Sequence, residues 1–198
     1  MMPGADTASD PRSEYTQRRG CAYEEVRRGE RRDRHISYAR LLVFVLGVVL
    51  AWAGFGAHYL ATGWVALPIA TFIALMIWHE ATLRRLARSQ RKEALYQRAL
   101  QRLHGEWCGK GVKGDSLQPV QHAYGADLDL FGEGSLFELI CEARTLSGEQ
   151  TLARWFTEPA EYATIAARQE AVCALRASVQ LREDLQLAGD EMRSALAP

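Results

Sequence analysis

Charged residues vanish from Leu41 to Trp78, a run of 38 mostly apolar positions without Asp, Glu, Lys or Arg. One helix crosses a bilayer with about 20 residues, so a run this long predicts two apolar helices and a tight turn. The helices are expected at Tyr38–Ala57 and Leu60–Trp78, reversing at "GAHYLATGW", where Gly56, His58, Thr62 and Gly63 suit a turn. Neither shows the polar face of a soluble surface helix. Tyr38, Tyr59, Trp64 and Trp78 stand where interfacial rings are expected, and Pro68 falls in the first turns of the second helix. The pattern predicts a transmembrane hairpin over residues 38–78, with the lipid bilayer as partner. Gly47/Ala51 and Ala53/Ala57 have the small-residue spacing that packs spans together or pairs chains, so a homo-oligomer is compatible.

The flanks are basic. Nine Arg precede Leu41, seven Lys or Arg lie between Trp78 and His104, and the connecting turn has none. By the positive-inside rule both termini are expected in the cytoplasm. Residues 1–37 are polar and begin with small residues and turn formers, which predicts a disordered basic tail. Residues 79–104 lack Gly and Pro, carry Leu83, Leu86, Leu95, Leu100 and Leu103, and predict a juxtamembrane helix ending near Gly105. Residues 105–121 form a loop with four glycines and Pro119. Its "GKGVKGDS" is not a P-loop: Gly114 is followed by Asp115, and no apolar strand precedes it.

Residues 122–198 carry helix punctuation. Ser135 to Glu138 reads as a capping box, followed by Leu136, Phe137, Leu139, Ile140 and Ala143. Ser147 to Gln150 reads as a second box, opening a helix with Leu152, Ala153, Trp155 and Phe156 inward and stopping at Pro159. A third helix is expected from about Tyr162 to Leu187, with Ile165, Val172 and Val179 as a short bundle seam and Gly189 breaking the pattern. The whole chain is predicted all-α.

Zero formal net charge hides an asymmetry. Residues 122–198 hold thirteen acids against six Arg and no Lys, a net −7, which leaves +7 for the rest. Duplex affinity rests on cations that neutralise phosphates, so an acidic module argues against direct DNA binding by this chain. Cys21, Cys108, Cys141 and Cys173 are far apart and suggest neither a zinc site nor a disulfide framework. The five His show no metal-ligand spacing, and no nucleophile–base pair stands out. Asp127 and Asp129 alternate along a segment before the first cap, and His122 precedes them.

"DLDLFGEGSLFELI", "ARTLSGEQTLARWFTEPA" and "IAARQEAVCAL" together resemble the start of the core helical domain of MutS-type mismatch-repair ATPases, in particular their membrane-anchored bacterial branch. The motif positions are His122, Tyr124, Asp127, Asp129, Phe131, Gly132, Ser135, Gly148, Trp155, Pro159, Arg168 and Gln169. The resemblance implies a partial core domain over 122–198, a DNA repair or recombination role and an inner-membrane location. It implies ATP and magnesium only for longer relatives with an ATPase head, so this chain is not expected to be an enzyme or to hold a cofactor. A separate ATPase-bearing chain is then an expected partner. Phe131-Gly132-Glu133 spells the family's mismatch wedge but precedes a helix cap, which points to a structural role. The alternatives are a membrane scaffold that binds a protein partner through its acidic helices, and a truncated fragment.

Overall fold

A computed structural model of the chain describes residues 10–52, 66–118 and 127–196. Every regular element among them is helical: α1 (Pro11–Ala51), α2 (Ala66–Leu103), a 3₁₀ turn (Asp115–Leu117), α3 (Leu136–Ile140), α4 (Leu146–Thr157), α5 (Tyr162–Ala177) and α6 (Val179–Leu196). The chain divides into two compact units, residues 18–93 and residues 1–17 with 94–198.

The unit of residues 18–93 is a pair of antiparallel helices. The less exposed positions of α1 recur as Ala22, Val26, Gly29, Asp33, Ile36 and Arg40, and those of α2 as Phe72, Leu75, His79, Thr82, Leu86 and Ser89. This spacing of alternately three and four residues is the signature of a coiled-coil seam. The two seams meet: Ser89 Oγ donates to Glu25 at 3.2 Å, His79 Nδ1 stands 3.3 Å from an Asp33 oxygen, and the Arg40 guanidinium lies 5.7 Å from the centre of the Phe72 ring. Gly29 lets α2 approach, since a Cβ there would sit 2.9 Å from Leu86 Cδ1.

Two expectations change here. Residues 11–37 are helix rather than a disordered tail. Asp10 starts the helix by accepting the Arg12 amide at 3.3 Å, Pro11 takes the first helical position, where a missing N–H costs least, and the seam buries Ala22, Val26 and Ile36. The transmembrane hairpin is also corrected: among the described residues no helix is long and apolar enough to cross a membrane. The charge-free part of α1 begins only at Leu41 and that of α2 ends at Trp78. The inner-membrane location with two spans is withdrawn with the hairpin. Tyr38 and Trp78 are exposed on these helices, while Tyr59 and Trp64 lie outside the described residues.

The other unit is built on the end of α2. Its helix stops as expected from sequence: Gly105 adopts φ 78°, and the Glu106 amide returns to the Gln101 carbonyl at 2.9 Å. The core is small and aromatic. Leu130, Phe131, Phe137, Cys141 and Ala153 are buried, with Val112, Leu117, Ala143, Leu152 and Phe156 packed against them. The rings of Phe131, Phe137 and Phe156 form a triangle with centroids 5.4, 6.3 and 6.1 Å apart. Tyr96, Leu100 and Leu187 are buried where α2 meets α6. There the buried Tyr96 hydroxyl donates to the buried carboxylate of Glu183.

The single helix expected over Tyr162–Leu187 is two. The chain leaves helical geometry at Ser178, φ −105° and ψ 73°, and α6 then runs through Gly189 instead of breaking there. Gly189 is a contact residue: a Cβ on it would lie 2.7 Å from Arg144 Cβ.

Phe137 is fully buried as one corner of the ring triangle, so Phe137→Ala should cost about 3–5 kcal/mol of unfolding free energy in urea, followed by circular dichroism. Leu128, which is exposed, should tolerate alanine within about 0.5 kcal/mol.

Candidate functional site

Two features of the second unit arise from the punctuation around Ser135. The first is a glycine loop closed on a carboxylate. Residues 105–118 run past α3, and the Gly132 amide donates to the Lys113 carbonyl at 2.8 Å. Ser135 caps α3 by accepting the Glu138 amide at 3.2 Å, half of a capping box. The other half is diverted. The two Glu138 oxygens accept from the amides of Gly111 and Gly134, each at 2.8 Å. Burial acts to raise the Glu138 carboxyl; the amides of Gly111, Gly134 and Gly109 outweigh it, and the group is held below its ordinary value. Gly114, at φ 72°, passes so close to Phe137 that a Cβ would stand 2.7 Å from the ring. Outside the loop, Lys113 and Glu133 form an exposed ion pair at 2.6 Å.

The second feature is the face presented by α4 and α5. α4 starts two residues earlier than the Ser147 box suggests: Thr145 is the cap, accepting the Gly148 amide at 3.2 Å. α4 ends at Thr157, before Pro159, and buries Glu149 against Arg193 of α6 at 3.1 Å. α5 differs from every expectation of a seam. It has no buried residue. Tyr162 is 86% exposed, Val172 64% and Ile165 41%, and positions 162, 165, 169 and 172 share one helix face. The Arg168 guanidinium of α5 lies 4.1 Å from the ring centre of Trp155 on α4, so this cation sits on an aromatic face. Exposed acids lie along the same stretch of chain: Glu158 and Glu161 before α5, Glu170 on it, and Asp184 and Glu191 on α6.

The residues singled out from sequence separate accordingly. Phe131 and Ser135 are buried in the core and the cap, and Gly132 serves a turn at φ 104°. Phe131 packs on Phe137 and Phe156, so it has no free ring to wedge into a base stack. Asp127 and Asp129 are exposed in a turn, with Asp129 at φ 46° and its carbonyl accepting the Leu136 amide at 3.1 Å. Gly148 completes the α4 cap, Trp155 and Arg168 stack, Gln169 is exposed, and Pro159 follows α4. His122 and Tyr124 lie outside the described residues. Among the described residues no three His, Cys, Asp or Glu side chains are placed to hold a metal ion.

No family model, no curated protein and no solved structure matches this chain. The resemblance to MutS-type ATPases therefore has no relative behind it. Mismatch repair, DNA binding and ATP binding are withdrawn as descriptions of the chain, together with the transmembrane helix.

Glu138→Gln keeps the shape but sets an NH₂ group against an amide donor, and should cost about 1–3 kcal/mol at neutral pH. The native carboxyl sits below its unfolded value, so its contribution is complete above the ordinary carboxylate range and is lost as pH falls through the folded value. Urea midpoints of the two proteins should converge in acid; a gap independent of pH would contradict this account.

Proposed function

We propose that this chain is an adaptor whose α4–α5 face docks a basic amphipathic helix of another protein. The observation that carries the reading is α5 itself: sixteen residues of helix with no buried side chain, yet with Tyr162, Ile165 and Val172 on one face. An isolated helix of this length is marginal in water, and packing on a partner is the usual source of its stability. Helix recognition by apolar residues at such spacing is a common mode of peptide binding. The exposed acids along this stretch of chain favour cations on the incoming helix. The Trp155–Arg168 pair supplies a flat aromatic and a guanidinium at the edge, residue types that carry much of the energy in protein interfaces.

Cys173 is exposed on α5 beside Val172, and can carry a fluorophore once the exposed Cys21 and Cys108 are changed to Ser. Titration of the labelled full chain with a synthetic Leu/Lys amphipathic helix should give saturable binding. Ile165→Glu with Val172→Glu should weaken it about tenfold or more, with little change in melting temperature because both positions are exposed. Equal binding by the double variant, or by a Lys peptide without Leu, would remove the reading.

A further inference from the structure

A cavity of about 250 Å³ opens between the last turns of α2, the glycine loop and the segment that joins α3 to α4. Four cations line it, Arg98, Arg102, Lys110 and Arg144, with Trp107 as an aromatic wall. Among the described residues its single lining acid is Glu138, whose oxygens are taken up by the Gly111 and Gly134 amides.

Arg102 is matched, pairing with Glu142 and donating to the Cys141 carbonyl at 3.3 Å, whereas Arg98 and Arg144 are incompletely matched. Glu142 pairs with Arg102 and lies 3.8 Å from Arg144, and it also accepts from Gln186 at 2.7 Å. Asp190 is shared by Arg144 at 3.4 Å and Arg98 at 3.9 Å. Arg98 Nε is buried without a hydrogen-bond acceptor among the described residues, and Arg98 Nη2 and Arg144 Nε, also buried, meet Asp190 as ion pairs at 3.9 and 3.4 Å without hydrogen-bond geometry. A buried guanidinium N–H left without an acceptor is costly, and arginine forks suit the paired oxygens of phosphate. Burial, and then the neighbouring Arg144, hold both Arg98 and Arg102 below the usual arginine value, as expected of crowded like charges.

We propose that this cavity binds a phosphate-type oxyanion, with Arg98 and Arg144 as its donors and Arg102 and Lys110 adding positive charge. The volume accommodates a phosphate group with a small organic substituent, which Trp107 would flank. The α5 face lies elsewhere in the unit and carries none of these residues, so the two sites stand or fall separately.

The test is titration of the full chain with inorganic phosphate against chloride at matched ionic strength, by calorimetry and by thermal melting. One saturable site is expected, with a melting temperature that rises with phosphate concentration. Arg98→Gln and Arg144→Gln should each weaken binding about tenfold or more. Their melting temperatures without phosphate report separately what each arginine contributes to stability through Asp190. Phenyl phosphate should bind more tightly than phosphate, and that gain should vanish in Trp107→Ala. No saturation by phosphate in the unmodified chain, or saturation unchanged in both arginine variants, would overturn the proposal. The titration of the unmodified chain decides the matter even if a variant fails to fold.

Discussion

The carboxylate of Glu138 holds the second unit together. A charge with 1% exposure is tolerable only where donors surround it, and two peptide amides meet its oxygens at 2.8 Å. One amide belongs to the glycine loop and the other to the turn before α3, so a single side chain fixes a loop residue 27 positions earlier in sequence against the helix that carries it. The ring triangle of Phe131, Phe137 and Phe156 then closes over this join, and Gly114 lets the loop lie against Phe137. Polar clasp and aromatic packing are mutually dependent: the clasp sets the loop path, and the packing keeps water from the carboxylate.

What could be read from sequence was local chemistry. Gly105 ends α2, Ser135 caps α3 and Pro159 follows α4, because a cap or a stop is decided within a few residues. Features set by distant packing were not legible. The seam of α1 escaped notice because Gly29, Asp33 and Arg40 occupy positions where apolar residues are looked for, and their partners lie on α2. Ser147 masked the true cap, since Thr145 precedes it by two residues and Gly148 suits either start. Ile165, Val172 and Val179 keep a heptad through Ser178, but the backbone breaks there and leaves α5 outward. The arginine cavity had no sequence signal at all: Arg98, Arg102, Lys110 and Arg144 come from three separate segments.

The charge asymmetry also reads differently in three dimensions. The −7 of residues 122–198 is not spread over a surface. Glu138, Glu149 and Glu183 are buried on amides, on Arg193 and on Tyr96, while Glu142 and Asp190 are tied to arginines. Of the rest, Asp127, Asp129 and Glu133 are exposed ahead of α3, and Glu158, Glu161, Glu170, Asp184 and Glu191 are exposed from the end of α4 to α6. Net charge by segment thus says little until the internal pairs are removed from it.

Gly189 shows how an absent atom can govern a charged network. Glycine inside a helix costs about 1 kcal/mol relative to alanine, yet here it admits the Arg144 stem, since even a methyl would fall 2.7 Å from Arg144 Cβ. Arg144 then pairs with the neighbouring Asp190 at 3.4 Å. A single codon change at position 189 would therefore act as a remote lesion, displacing a guanidinium it does not encode, and a mutational scan should record it as intolerant despite its neutral chemistry.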